Sequence, residues 1–140
     1  MTRFARYLMA IAAAAMLAAC GVQESYKTSG AQVEQFRAAM SAGKYAEIWN
    51  AAAPELQKST DKARFTALLD AVGRKLGKVT EAKQTGWHAN NDNGVSTITM
   101  KFDTSFENGS GKETMTWLWV TDDSLKLRDY AIDSPDMLIK

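Results

Sequence analysis

The chain has 140 residues, of which 46% are hydrophobic, and its formal net charge is +1. This length suffices for one domain with a core of its own and is too short for two. The balanced charge gives no electrostatic reason to expect nucleic-acid binding, and a single cysteine excludes an intrachain disulfide framework.

The N-terminus has the features of a bacterial export signal. Arg3 and Arg6 form a basic segment, residues 7–19 are mainly apolar, and small residues precede Cys20. The apolar stretch is shorter than the about 20 residues that a transmembrane helix needs. We therefore expect residues 1–19 to be a cleaved signal peptide. Cleavage removes two of the 17 basic side chains and no acidic one, which leaves 15 basic against 16 acidic.

The end of this segment, Leu17-Ala18-Ala19-Cys20, resembles the lipobox of bacterial lipoproteins. The resemblance implies that the Cys20 sulfur carries a diacylglycerol and that palmitate or similar acyl chains hold the protein on the membrane. Lipoproteins that are retained at the inner membrane have aspartate directly after the lipidated cysteine. This chain has Gly21 there, so the resemblance implies the periplasmic face of the outer membrane. The alternative is an ordinary secretory signal that leaves an unpaired thiol.

The mature chain divides into a short tether and one domain. Residues 21–28 are polar and lack periodicity, so we interpret residues 20–28 as the lipidated cysteine and a tether. Ser29 and Gln32 have the spacing of a capping box and predict a helix that ends at Gly43. The single domain is therefore expected to cover residues 29–140.

Two further helices are predicted before the first strand. Apolar residues from Tyr45 to Ala52 recur at helical spacing until Pro54, which is expected to end the second helix. Ser59 and Thr60 are the predicted cap of the third. Its apolar stripe is the longest in the chain and closes at Gly77; it consists of Phe65, Leu68, Leu69, Val72 and Leu76.

From residue 78 the apolar period changes to two, which predicts antiparallel strands. Asn93-Gly94 and Asn108-Gly109 predict tight hairpin turns with positive φ angles. In the last strand the apolar positions change phase, which predicts a β-bulge near Arg128-Asp129. The sequence thus predicts an α+β fold with about three N-terminal helices followed by a curved four-stranded antiparallel sheet.

This order of elements, with Phe36, Tyr45, Trp49 and a final strand containing Tyr130, resembles the nuclear-transport-factor-2-like superfamily. The resemblance implies a cone-shaped domain with a ligand site between the helices and the sheet, as in ketosteroid isomerases and polyketide cyclases. The alternative is a cystatin-like fold, in which one long helix lies on a meander. Three helices before the first strand argue against that alternative.

Several side chains are candidates to line such a cone. We expect ligand binding by Tyr45, Trp49, His88, Trp117 and Tyr130, although helical or strand spacing also accounts for the aromatic residues as core. His88 is the only histidine, and a lone histidine near a turn is usually a solvated surface residue. No catalytic residue is assigned. The sequence has no metal-ligand spacing and no phosphate-binding loop, so neither a metal nor a cofactor is expected.

Three functional hypotheses remain open. The first is a non-enzymatic envelope lipoprotein that binds a small apolar ligand or an envelope protein partner. The second is an isomerase-like or cyclase-like enzyme that uses His88 or a buried carboxylate with Tyr45 or Tyr130. The third is a structural or dimerising module. A homodimer through the sheet is compatible with all three, and the membrane is a partner through the anchor on Cys20.

Overall fold

The computed structural model describes residues 27–121 and 124–138. In this part of the chain, four α-helices precede a four-stranded antiparallel sheet and a short 3-10 helix: α1 (27–41), α2 (Tyr45–Asn50), α3 (Pro54–Ser59), α4 (Lys62–Leu76), β1 (Val79–Asp92), β2 (Val95–Phe106), β3 (Gly109–Thr121), β4 (Ser124–Asp133) and Pro135–Met137. The α+β class and the four-stranded antiparallel sheet are confirmed. The signal peptide, Cys20 and most of the tether lie outside the described residues.

The beginning of α1 differs from the prediction. Residues 27 and 28 are already helical, so α1 includes the end of the segment that the sequence assigns to the tether. Ser29 therefore does not cap the helix. It is fully buried, and its hydroxyl accepts a hydrogen bond of 3.3 Å from the indole of Trp87. Gly43 follows α1 with φ +72°, as its position predicts.

The prediction of three helices is wrong by one. Pro54 does not end the second helix, because α2 ends at Asn50 and Pro54 is the first residue of α3. Proline suits that position, since the first N–H groups of a helix have no partner within it. The cap of α4 is Asp61, not Ser59 or Thr60, and its carboxylate accepts a 2.8 Å hydrogen bond from the backbone N–H of Arg64.

The sheet is a simple meander in the order β1-β2-β3-β4. Asn93 and Gly94 form the β1–β2 turn with φ values of +51° and +81°, which confirms the predicted hairpin. The bulge in β4 is also confirmed, because the pairing with β3 passes from Asp129 to Leu127 and omits Arg128. Such bulges bend a strand and increase its twist, which contributes to the curvature of the sheet.

The β2–β3 turn differs from the prediction in its position and its geometry. Glu107 and Asn108 form it, Gly109 is already the first residue of β3, and neither Asn108 nor Gly109 has a positive φ. Its backbone is held from outside the hairpin. The N–H of Glu107 donates to the Lys78 carbonyl and that of Asn108 to the Leu76 carbonyl, each over 2.9 Å. The contacts with the end of α4 thus replace the turn chemistry that the sequence suggests.

The helices cover one face of the sheet, which we call the inner face. Phe36 of α1, Ile48 of α2, Leu56 of α3 and Leu69 of α4 are buried in one apolar cluster with this face. The sheet contributes these buried side chains: Ile98, Met100, Phe102, Met115, Trp117, Leu125, Leu127 and Tyr130. In the described part of the chain, four helices, rather than the one long helix of the cystatin-like alternative, precede the sheet. None of the described helices is long and apolar enough to cross a membrane.

Gly73 is required by the close approach of α2 to α4. A Cβ atom at this position would collide with the hydroxyl of Tyr45, although the Cζ of the same ring would be at an ordinary contact distance of 3.5 Å. Gly73 lies inside a helix, where alanine is normally preferred by about 0.5–1 kcal/mol. The contact with Tyr45 therefore explains why a helix-weakening residue occupies this position.

We expect Gly73→Ala to displace Tyr45 and to gain none of the stability that alanine usually brings to a helix. In a Tyr45→Phe background the same substitution should stabilise the domain by about 0.5–1 kcal/mol, because the colliding hydroxyl is gone. Urea denaturation of the four proteins of this cycle measures the difference. Gly30→Ala in α1 is the control, since nothing lies within 4 Å of a Cβ there. A gain from Gly73→Ala equal to that of Gly30→Ala would contradict the expected collision.

Candidate functional site

A buried carboxylate lies on the inner face of the sheet. Glu113 of β3 is 2% exposed and lies on the same side of the strand as Met115 and Trp117. Its neighbours in the register are Phe102 of β2 and Ile132 of β4. An ionised carboxylate in apolar surroundings is costly unless charged and hydrogen-bonding partners surround it. The position therefore requires specific partners.

Three side chains donate hydrogen bonds to this carboxylate. Its Oε1 accepts from the Thr104 hydroxyl at 2.6 Å and from Nη1 of Arg37 at 3.1 Å, and its Oε2 accepts from the Tyr130 hydroxyl at 2.6 Å. We call these four residues, Arg37, Thr104, Glu113 and Tyr130, the Glu113 cluster. It joins α1 to three adjacent strands. Because both oxygens are engaged and Glu113 is buried, the cluster acts as a clamp between the helix and the sheet.

The guanidinium of Arg37 is held on two sides. Its Cζ lies 5.0 Å from the centre of the Phe102 ring, a cation–π distance, while Nη1 contacts Glu113. The other terminal nitrogen, Nη2, is buried and has no hydrogen-bond partner among the described residues. Phe36, next to Arg37 in α1, packs on the Tyr130 ring with centroids 5.1 Å apart. The end of α1 is thereby positioned by both polar and aromatic contacts.

The phenol of Tyr130 is strongly perturbed. Burial raises its pKa far above the usual value of 10.0, the negative charge and the hydrogen bond of Glu113 raise it further, and the charge of Arg37 opposes this in part. Tyr130 is therefore a hydrogen-bond donor, and not a phenolate, throughout the neutral range. A group whose pKa is raised on folding stabilises the folded state below its unfolded pKa and loses that contribution as the pH rises.

We expect the free energy of unfolding to fall above about pH 10, where Tyr130 loses its proton in the unfolded chain but keeps it in the folded one. One such proton gives a slope of up to about 1.4 kcal/mol per pH unit. Denaturant unfolding at pH 8, 9, 10 and 11 measures it. Tyr130→Phe should be less stable at pH 8 but show a flatter decline above pH 10. A Tyr130→Phe variant that keeps the wild-type slope would contradict the expectation.

An open cavity lies beside the cluster. It has a volume of about 760 Å³ and is bounded by the second half of α1, the end of α4, the beginning of β1 and the end of β2. Its lining includes the apolar side chains of Phe36, Met40 and Phe106 and the ring of Tyr45. Arg37 and Glu113 also contribute to its wall, so the Glu113 cluster forms part of this cavity. Its size is within the usual range for small-molecule sites.

The five residues expected to bind a ligand do not line one site. Tyr45 lines the large cavity, and Tyr130 is buried in the Glu113 cluster at 4% exposure. Trp117 lines a separate cleft of about 260 Å³ between α1, α2 and the β3–β4 side of the sheet. The indole N–H of Trp117 is buried and has no hydrogen-bond partner among the described residues.

The other two expected ligand residues lie apart from the cavity. Trp49 connects the short helices, because its indole N–H donates to the Thr60 carbonyl at 3.4 Å and Lys62 Nζ lies 5.7 Å from its ring. His88 is exposed on β1, opposite Thr99 of β2 and on the face of the sheet away from the helices. The structure therefore brings Tyr45 and Tyr130 to the same region and leaves Trp49 and His88 elsewhere.

Three residues of the cluster escape the sequence-based expectation: Arg37, Thr104 and Glu113. For the two strand residues, the position in the alternating pattern indicates burial. Thr104 is two residues after Phe102, and Glu113 is two residues before Met115, so both continue the apolar stripe of their strands. A polar residue that continues such a stripe is a candidate for a buried, paired position.

Within the described residues, no group of three or more His, Cys, Asp or Glu side chains could hold a metal ion.

The fold and this site together define a small α+β domain with a clamped helix and a cavity between the helices and the sheet. Residues 31–130 match the model of the family described as "Protein of unknown function (DUF4019)". The chain belongs to this family. The matched range contains the whole Glu113 cluster, from Arg37 to Tyr130. No curated protein and no solved structure matches the chain.

Proposed function

We propose that this protein is a lipid-anchored component of the bacterial envelope whose domain binds a small molecule in the 760 Å³ cavity and catalyses no reaction. The cavity is the observation that carries the proposal. Its lining combines apolar side chains with the fixed polar groups of Arg37 and Glu113 and with three further charged residues, so it offers both apolar contacts and polar groups to a small molecule. The anchor is supported by the lipobox-like residues that end at Cys20.

A nuclear-transport-factor-2-like cone is part of the same proposal. It is supported by the helices on one face of a bent antiparallel sheet and by a cavity between the two layers. In such a cone, the end of α1 and the end of α4 would form the mouth. The apolar rings of Phe36 and Phe106 would contact the body of a ligand, while Arg37 would orient its polar end.

The geometry favours binding over catalysis. A general acid or base must reach the proton that it transfers. Both oxygens of Glu113 already accept hydrogen bonds from within the protein, and Tyr130 is buried with its hydroxyl on Glu113. The exposed His88 lies on the other side of the sheet. Of the groups that the enzyme hypothesis invokes, His88 is therefore away from the cavity, and Glu113 and Tyr130 are already hydrogen-bonded to each other.

Ligand binding is tested by native mass spectrometry of the chain exported from a bacterial host with Cys20→Ser, which prevents lipidation. We expect an additional small-molecule mass in the native spectrum that disappears on denaturation. Ala38→Trp, which puts an indole into the cavity lining, should remove this mass. Ala63→Trp, on an exposed face of α4 outside that lining, should retain it. A Cys20→Ser protein without the mass, or equal retention by the two tryptophan variants made in it, would contradict binding in this cavity.

The anchor is tested separately on the unaltered chain. We expect the mature protein to purify with the membrane fraction and to have a mass that corresponds to residues 20–140 plus acyl groups. Cys20→Ser should release it into the periplasm. A soluble wild-type protein of unmodified mass would contradict the anchor and would leave the ligand proposal to its own experiment.

A further inference from the structure

The face of the sheet opposite the helices, which we call the outer face, is polar and uncovered in the described part of the chain. Its side chains alternate with those of the core, for example Thr99, Lys101 and Asp103 of β2, and they are exposed or half-buried. Two shallow grooves of about 490 and 480 Å³ run over it. Both grooves are lined by charged residues of neighbouring strands, so the outer face is not flat.

A row of alternating charges crosses all four strands of the outer face. Lys83 of β1 is opposite Asp103 of β2, Asp103 is opposite Lys112 of β3, and Lys112 is opposite Asp133 of β4. All four side chains are exposed. The two ion pairs found among the described residues, Arg37–Glu113 and Arg74–Asp70, involve none of them. The row therefore has its charged groups available for an external partner.

This order of charges is complementary to itself. We propose that the outer face binds the outer face of a second copy of this chain, related to it by a two-fold axis parallel to the strands and between β2 and β3. In that arrangement β1 lies on β4 of the second copy and β2 lies on β3. Lys83 then faces Asp133 of the second copy, and Asp103 faces Lys112. Each of these contacts occurs twice, because the interface is isologous.

The neighbouring rows agree with the same axis. One row ends in Gly86 and Ala131, two of the smallest residues, which would face each other and permit close approach of the outer strands. Another row ends in His88 and Asp129, a donor and a carboxylate, with Thr99 and Thr116 between them. In the rows of paired residues from Lys83 to Asn90, no position would face a like charge.

A perpendicular axis does not give this agreement. A two-fold axis across the strands, through the middle of the rows from Lys83 to Asn90, would place each strand on its own copy, with Lys83 near Asn90 and Asp103 near Thr97. None of the charges of the row would then meet an opposite charge.

The size of the face also fits a dimer. Four strands about 4.8 Å apart and about 40 Å long give roughly 750 Å² of projected area per copy, close to the about 800 Å² that a typical interface buries on each partner.

The dimer requires neither the lipid anchor nor a ligand, so it is tested on the exported chain with Cys20→Ser by analytical ultracentrifugation. We expect a dimer at low salt that weakens as the salt concentration rises. Asp103→Lys and Lys112→Asp should each weaken dimerisation at least about 100-fold, because each puts two pairs of like charges into the interface. The double variant that exchanges the two charges should dimerise again.

A mixture of the two single variants gives the sharpest result. One chain then carries lysine at both positions and the other carries aspartate at both, so we expect a heterodimer from two proteins that are monomeric alone. Formation of that heterodimer also shows that both variants are folded. Lys58→Asp, on the exposed surface of α3, is the control and should remain dimeric. A Cys20→Ser protein that is monomeric at low salt, single variants that remain dimeric, or a mixture that does not associate would overturn the proposal.

Discussion

Glu113→Ala should destabilise the domain by about 3–5 kcal/mol, the cost typical of removing one partner from a buried ion pair. The substitution leaves the guanidinium of Arg37, whose side chain is only 14% exposed, without its counter-charge. It also leaves the hydroxyls of Thr104 and Tyr130 without an acceptor. Because a domain of this size has about 5–15 kcal/mol of stability in total, a large part of it depends on one side chain. Urea denaturation monitored by tryptophan fluorescence measures the loss.

Two further variants separate burial of the charge from simple loss of a side chain. Glu81→Ala removes an exposed glutamate from β1 and should change the free energy of unfolding by no more than about 0.5 kcal/mol. Glu113→Gln keeps the shape of the side chain and one acceptor but not the charge. Its loss of stability should therefore lie between those of Glu81→Ala and Glu113→Ala. If Glu113→Ala costs less than about 1 kcal/mol, the carboxylate does not act as a clamp between α1 and the sheet.

The periodic parts of this fold are predictable from the sequence because they depend on local rules. A two-residue period places Met100, Phe102 and Met115 on one face of the sheet, and the structure buries all three. The change of phase in β4 likewise predicts the bulge at Arg128. In each instance the information lies within a few residues, and nothing distant in the chain overrides it.

The errors occur where distant contacts decide the local structure. Ser29 has the spacing of a helix cap, but Trp87 holds its hydroxyl, and the helix continues in front of it. Asn108-Gly109 has the composition of a tight turn, yet the end of α4 binds the preceding backbone and shifts the turn by one residue. A pattern over a few residues cannot represent a hydrogen bond to a residue that is far away along the chain.

The same limit applies to the candidate site and to the outer face. Arg37 and Glu113 are 76 positions apart, and no spacing rule relates a helix residue to a strand residue at that separation. The charge row becomes visible only when the registers of three strand pairs are known, because its members come from four different strands. Both features are therefore consequences of tertiary structure, although each residue in them has the phase that its strand predicts.

Leu69→Ala should destabilise the domain by about 2–5 kcal/mol, whereas Leu68→Ala should have a small effect. Both leucines belong to the apolar stripe of α4, and sequence periodicity does not distinguish them. In the structure, Leu69 has no exposed surface and belongs to the central apolar cluster, while Leu68 is 36% exposed. Truncation of the buried leucine loses its transfer free energy and leaves a cavity among packed neighbours that can collapse only in part.

The comparison between these two positions is well controlled, because the residue type, the helix and the substitution are identical. Alanine also has a slightly higher helix propensity than leucine at both positions, so this contribution cancels in the difference. We expect the free energy of unfolding, measured by urea denaturation, to fall for Leu69→Ala and to remain within about 0.5 kcal/mol of the wild type for Leu68→Ala. A larger loss of stability for Leu69→Ala than for Leu68→Ala supports the packing of α4 against the inner face. Equal losses would mean that Leu68 is covered in solution, for example by contact with another molecule.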